Sequence, residues 1–153
     1  MTVTGIKELR QRMGAATRLI GLDHSPARIG VALAELTTGV VTPIAVLRGK
    51  KFTENVASLA KLCKDYDIQT LIIGLPLNMD GSEGPRAQSV RHFALNLERA
   101  KAQLGFTPLV AFMDERLSSF DADERLEGGS KAARDMQDAV AAAVMLEDAL
   151  KLI

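Results

Sequence analysis

Four acidic side chains stand where apolar stretches of the sequence end or begin. Asp23 closes LIGLD, Asp114 and Glu115 follow TPLVAFM, and Asp138 precedes AVAAAVML. A carboxylate in such a place is poorly solvated unless it meets a cation or hydrogen-bond donors. Carboxylates converging from distant parts of a chain have a chemical use. Hard divalent cations such as Mg²⁺ take oxygen ligands and keep several waters, so a few acids and a substrate phosphate complete a site. Two ions roughly 4 Å apart can activate an attacking water and stabilise the leaving oxygen in phosphodiester cleavage. Other chemistries lack their residues. There is no HExxH, CxxC or GxSxG, and His24 and His92 are too few for the usual zinc set. Taken singly, each acid has an ordinary explanation: Asp23 can form a turn ahead of Ser25 and Pro26, and Asp114 can pair with Arg116 on the surface.

The tetrapeptide DERL occurs twice, at residues 114–117 and 123–126. The first copy emerges directly from an apolar run, and the ends of buried strands are where open α/β sheets bind ligands. The second copy follows Ser118, which with Asp121 has the spacing of a capping box, so it reads as the solvated face of a short helix. There Asp121 can pair with Arg125 while Glu124 and Glu127 face water.

The elements that must position these acids follow from periodicity. Residues 18–23 (RLIGLD), 29–35 (IGVALAE) and 40–47 (VVTPIAVL) are three short apolar runs separated by Gly and Pro, which predicts a strand meander. Thr53 is placed to cap a helix carrying Val56, Leu59, Ala60 and Cys63 inward. Residues 70–74 (TLIIG) form a continuous apolar strand of the kind covered on both faces. After the loop LPLNMDGSEGP, Pro85 suits the first turn of a helix that carries Val90, Phe93, Ala94, Leu97 and Leu104 inward and ends at Gly105. Residues 107–113 form another buried strand, and an Ala-rich helix runs from about 130 to 152. Asp138 lies on its core-like face with Ala141, Ala142 and Met145, and Asp135 one turn earlier is its more exposed neighbour. The order predicts an α/β fold with helices packed on a mixed sheet.

Length and composition agree with one domain: 153 residues with 47% hydrophobic content are enough for a core. Nineteen basic and nineteen acidic residues cancel, so any nucleic-acid contact has to be local. The lone Cys63 excludes an intramolecular disulfide and fits a reducing compartment. The longest apolar run, residues 139–146, falls far short of the roughly 20 residues of a membrane span, so a cytoplasmic protein is expected.

Four blocks in order, GLDHSPARIGVA (21–32), IIGLPLNMDGSEGP (72–85), DERLSS (114–119) and DAVAAAVML (138–146), resemble the YqgF family of bacterial pre-16S rRNA nucleases, also described as Holliday-junction-resolvase-like. The resemblance covers residues 18–152 and leaves an N-terminal extension, 1–17, outside a nuclease domain of 18–153. It implies a ribonuclease H-like fold: a five-stranded mixed sheet whose first three strands form an antiparallel meander, flanked by helices. It implies metal-dependent hydrolysis with Mg²⁺ or Mn²⁺, processing the 5′ end of pre-16S rRNA, with RNA as partner, within pre-ribosomal particles. Carried over by position, Asp23, Glu115 and Asp138 are the catalytic, metal-binding acids. Asp114 matches too, and because adjacent strand residues face opposite ways, one of the pair is expected to reach the metal and the other to serve structure. Two departures stand out: Ser25, flanked by His24 and Pro26, replaces a glycine usual in the family, and Glu35 replaces an Asp common there.

Substrate phosphates need positive groups beside the acids. Arg28 in the first turn, Arg116 after the strand-end acids and Arg86 at a helix start supply them, and Asn78 and Ser82 add neutral donors in the loop. Alternation turns His24 away from Asp23. Scattered aromatics offer no base-stacking platform. The competing readings are a DNA junction resolvase, for which no dimerisation pattern is evident in a chain expected to be a monomer or weak dimer, and a non-catalytic nucleic-acid or ribosome-assembly binding module. An actin-type ATPase half-domain is excluded by length.

Overall fold

The computed structural model describes residues 2–118 and 131–153. The second DERL and the short helix expected after Ser118 lie outside the described residues.

Short apolar runs form β2 (Arg18–His24), β3 (Ile29–Glu35) and β4 (Val40–Leu47), joined as an antiparallel meander. β5 (Thr70–Leu75) and β6 (Leu109–Asp114) add in parallel, β5 beside β2 and β6 beside β5. β5 is buried along its whole length, as expected of a continuous apolar run covered by helices on both sides. These are the five expected strands. A sixth, β1 (Thr2–Val3), comes from the N-terminal stretch and pairs in parallel with β6, giving the order β1-β6-β5-β2-β3-β4. Pro43 is tolerated because β4 is an outer strand, and its pairing shifts register opposite Val31 and Ala32.

Two apolar layers cover the sheet. On one face, α2 (Phe52–Tyr66), α3 (Pro85–Arg99) and α4 (Lys101–Leu104) bury Val56, Leu59, Cys63, Val90, Phe93, Leu97 and Leu104 against the even residues of β2 and the odd ones of β5. On the other, α5 (Lys131–Leu150) and the short α1 (Leu9–Arg12) pack on Leu19, Ala32, Ala34, Ile72, Ala111 and Met113. The N-terminal stretch therefore contributes to the core: Leu9 is fully buried and Met13 nearly so. The Leu9 and Met13 spacing is the signal that sequence reading passed over.

The second seam is built from small residues. α5 brings Ala142 and Ala149 to a sheet surface of Gly21, Gly30, Ala32 and Ala34, so the helix lies close to the strands. A Cβ on Gly21 would stand 3.1 Å from that of Leu146.

Local details differ from expectation at three places. Lys51, not Thr53, is the N-cap of α2, and no side chain caps it. The helix starting at Pro85 breaks at Ala100, whose φ of −96° and ψ of 16° separate α3 from α4; Gly105, at φ 87°, ends α4 in the left-handed conformation that glycine adopts without strain. β6 starts at Leu109, two residues later than expected, and runs through Asp114, so that only Glu115 lies past the strand end.

Candidate active site

The acids meet because strand order and two glycines allow it. β2 is central in the sheet, with β3 on one side and β5 on the other. Leu19, Gly21 and Asp23 share the face covered by α5, since alternate residues point the same way. In the β2–β3 ladder Asp23 pairs with Gly30, and one step past the Leu22–Ile73 pair it stands level with Gly74 of β5. Neither glycine is there for its backbone angle: both lack the positive φ seen at Gly14, Gly39, Gly81 and Gly105. They provide room. A Cβ on Gly30 would strike the main-chain carbonyl of Asp138, approaching its carbon to 2.5 Å, and one on Gly74 would come within 2.6 Å of Glu115 Oε1. The empty space over Gly30 thus admits the start of the buried part of α5, and that over Gly74 admits the Glu115 side chain, one on each flank of Asp23.

The result is a cavity of about 300 Å³ lined by Asp23, Ser25, Pro26, Arg28, Arg86, Glu115 and Asp138. Its residues come from the end of β2, the β2–β3 turn, the first turn of α3, the turn after β6 and α5. Asp138 is 8% exposed. Its Oδ2 lies 2.6 Å from Arg28 Nε, yet both atoms are buried without an aligned hydrogen-bond partner. Ser25 closes the β2–β3 turn: its Oγ donates to the Arg28 carbonyl at 2.8 Å and accepts from the Arg28 N–H at 3.2 Å. Asp67 is the one non-glycine with positive φ among the described residues, so Ser25 sits in the turn with an ordinary backbone angle.

The first DERL divides its two acids as alternation requires. Asp114 accepts the Arg116 backbone N–H at 2.9 Å, capping a 3-10 turn over Glu115–Leu117, and takes the Arg116 guanidinium in a fork with Nη2 to Oδ2 at 2.7 Å. Those bonds hold the Asp114 carboxyl below the usual carboxylate range. Asp114 makes the surface turn and Glu115 lines the cavity. His24 packs its ring 4.6 Å from that of Phe93 on the opposite face of the sheet from Asp23, and burial there, then the charge of Arg86, lowers its pKa.

Three of the substrate-binding candidates are not cavity residues. Asn78 and Ser82 bind each other, Nδ2 to Oγ at 3.0 Å, and Asp80 accepts both the Ser82 hydroxyl at 2.6 Å and its N–H at 2.9 Å, so their polar groups are engaged in closing the β5–α3 loop. Arg116 ties that loop to the end of β6 by donating to the Met79 carbonyl at 3.2 Å. Gly30 and Gly74 are the positions sequence reasoning missed; a glycine inside a strand is the available signal, since it marks a close approach.

A divalent cation fits the chemistry of the cavity, where three carboxylates offer hard oxygen donors and one buried oxygen, Asp138 Oδ2, has no hydrogen bond. Among the described residues, no three acidic, histidine or cysteine side chains are drawn together tightly enough to hold an ion as they stand. No helix among these residues is long and apolar enough to cross a membrane.

Comparison with known proteins adds an independent line. The family model RuvX, described as Holliday junction resolvase, matches residues 17–152. A protein of Rhodospirillum centenum named "Putative pre-16S rRNA nuclease" is 40% identical over 154 residues, covering 98% of this chain and 81% of its own. One of the same name from Paracoccus denitrificans is 45% identical over 147 residues, covering 94% and 87%. Among solved structures, Thermus thermophilus RuvC in complex with a Holliday junction substrate superposes with a TM-score of 0.51 at 12% identity, covering 90% of this chain and 96% of that one. This likeness identifies the fold as ribonuclease H-like.

Proposed function

The chain belongs to the RuvX (YqgF) family, and from that premise we propose that it is a metal-dependent nuclease that hydrolyses phosphodiester bonds in the precursor of 16S ribosomal RNA. The observation that carries this reading is the single cavity in which Asp23, Glu115 and Asp138 face two arginines. A protein that only bound phosphates would gain little from concentrating three acids there.

Asp23, Glu115 and Asp138 would hold the cation, Mg²⁺ or Mn²⁺. Bound there, a divalent ion supplies Lewis acidity to the phosphoryl oxygens and lowers the pKa of a coordinated water toward neutrality. Arg28 and Arg86 offset the charge of the phosphodiester as it approaches the acids. Arg86 opens α3, whose first-turn N–H groups add donors suited to a phosphate. Asn78, Ser82 and Arg116 act one step back, by keeping the β5–α3 loop closed and tied to the β6 end beside the cavity. The chain acts on RNA in the cytoplasm, on pre-ribosomal particles, as a monomer or weak dimer.

The test is cleavage of a model precursor RNA by the purified chain with Mg²⁺ or Mn²⁺, abolished by Asp23→Asn with folding and binding retained. A second reading, resolution of branched DNA, is favoured by the description of the family and by the RuvC likeness. Symmetric nicking of a four-way DNA junction in preference to RNA would select it. Binding without cleavage under any divalent ion would refute both and leave a binding module.

A further inference from the structure

Two arginine–carboxylate pairs of different quality stand near one another, one in the surface turn after β6 and one in the cavity. Arg116 grips Asp114 as a fork, with Nε 3.1 Å from both carboxylate oxygens and Nη2 2.7 Å from Oδ2. Arg28 comes closest to Asp138 with Nε 2.6 Å from Oδ2, and neither of these atoms forms a hydrogen bond although both are buried. A guanidinium holds a carboxylate best through two parallel N–H bonds. The Arg28 pair is therefore held by charge, with the directional part of the interaction missing. It also sits on one of the three acids facing the cavity, the position that any incoming cation would claim. The main chain of Arg28 is fixed separately by the two Ser25 bonds, so its side chain can leave Asp138 while its root stays at the cavity wall.

We propose that Arg28 is an exchangeable counter-ion of Asp138: it neutralises the buried carboxylate until a divalent cation takes its place, and the guanidinium so released turns to the nucleic-acid phosphate. The second half rests on the nuclease reading above; the first half does not. The two cations compete for one oxygen, so the ion binds against the cost of breaking the pair. Binding of the ion and presentation of Arg28 to the substrate are then one coupled event, and the ion loads before the phosphate is gripped.

Mn²⁺ titrated calorimetrically into the full chain without nucleic acid tests the exchange. Arg28→Gln should bind Mn²⁺ about tenfold more tightly than the wild type, a sign opposite to that of a residue that merely orients Asp138. Arg86→Gln removes the same charge from the same cavity without breaking the pair, and should change the affinity by about threefold or less. Equal gains in the two variants, or an unchanged or weaker affinity in Arg28→Gln, would overturn the exchange. So would a wild type that binds no Mn²⁺, a result that also removes the metal from the proposed function, whereas cleavage that persists alongside an unchanged Mn²⁺ affinity leaves the function standing and defeats only this inference. A second arm needs no Arg28 variant: Asp138→Asn frees the guanidinium, so its binding of a fluorescent RNA oligonucleotide in EDTA should tighten, with the salt slope steeper by about 0.7 for one added phosphate contact. A slope equal to that of the wild type would contradict the release.

Discussion

Gly30→Ala tests whether the space over a single strand position places Asp138, one of the acids proposed to hold the cation. The added methyl would meet the Asp138 carbonyl, with its carbon 2.5 Å away, where ordinary contact begins at 3.4 Å. The obstacle is backbone on both sides, strand β3 and helix α5, so no rotamer change relieves it, and the two elements must part by about 1 Å. Overpacking of this kind costs ~1–3 kcal/mol. For a chain of this size that lowers Tm by about 3–10 °C. The chemical consequence should be larger. A displacement of about 1 Å in a positioned group can cost ~100-fold in rate, and here the displaced residue is Asp138 itself. Gly21→Ala is the control: its methyl would press on the flexible side chain of Leu146, 3.1 Å away, in the same helix–sheet seam but two turns of α5 beyond Asp138. Both variants are made in the full chain, melted by circular dichroism, and assayed for cleavage of a labelled precursor RNA at saturating Mg²⁺ well below either Tm. The expected pattern is a modest loss of stability in both and a large loss of rate in Gly30→Ala alone. A folded Gly30→Ala protein with wild-type activity would refute the claim that this glycine sets the position of Asp138.

Gly74→Ala should behave differently, because its methyl meets the end of the Glu115 side chain 2.6 Å away and a side chain can swing aside: cleavage should fall by about tenfold or more with Tm nearly unchanged. Glu115→Gln should lower cleavage at least ~100-fold while leaving the melt intact, whereas Asp114→Ala should cost about 1 kcal/mol of stability through loss of the cap and retain measurable cleavage. Glu35 is held at a pKa of about 2, from an ordinary 4.5, chiefly by the Arg18 guanidinium and then by the Thr37 hydroxyl. A depressed carboxylate pKa stabilises the fold above the unfolded value and loses that contribution as pH falls. Melts between pH 4.5 and 2 should therefore decline less steeply for Glu35→Gln than for the wild type, by a small margin because the pair is solvated. Mg²⁺ or Mn²⁺ in large excess should stabilise the wild type by about 2.7 kcal/mol at a hundred times Kd and so raise its Tm, and EDTA should reverse the gain; a wild-type melt indifferent to both would remove the cation from the cavity.

Much of this molecule is legible in the order of its residues because the relevant signals are local. Closely spaced apolar runs mark β2, β3 and β4, strand alternation turns His24 away from Asp23, a continuous apolar run marks β5, and Pro85 and Gly105 punctuate the helical segment that follows it. The same locality explains why Asp23, Glu115 and Asp138 are recognisable as acids at the ends of buried elements. Period and punctuation say which face a side chain takes, but they carry no information about which strand lies beside which. That choice is made by pairing between distant segments, and it alone sets Gly30 and Gly74 on either side of Asp23. It also separates the roles of Asp114 and Glu115, which sequence leaves interchangeable, and draws Leu9, Met13 and β1 of the N-terminal stretch into the folded unit. Arg28 shows the limit most plainly. Its type and place in the sequence raise the expectation of a phosphate contact, but its hold on a buried carboxylate, one hundred and ten residues further along the chain, exists only because α5 lies close against β3.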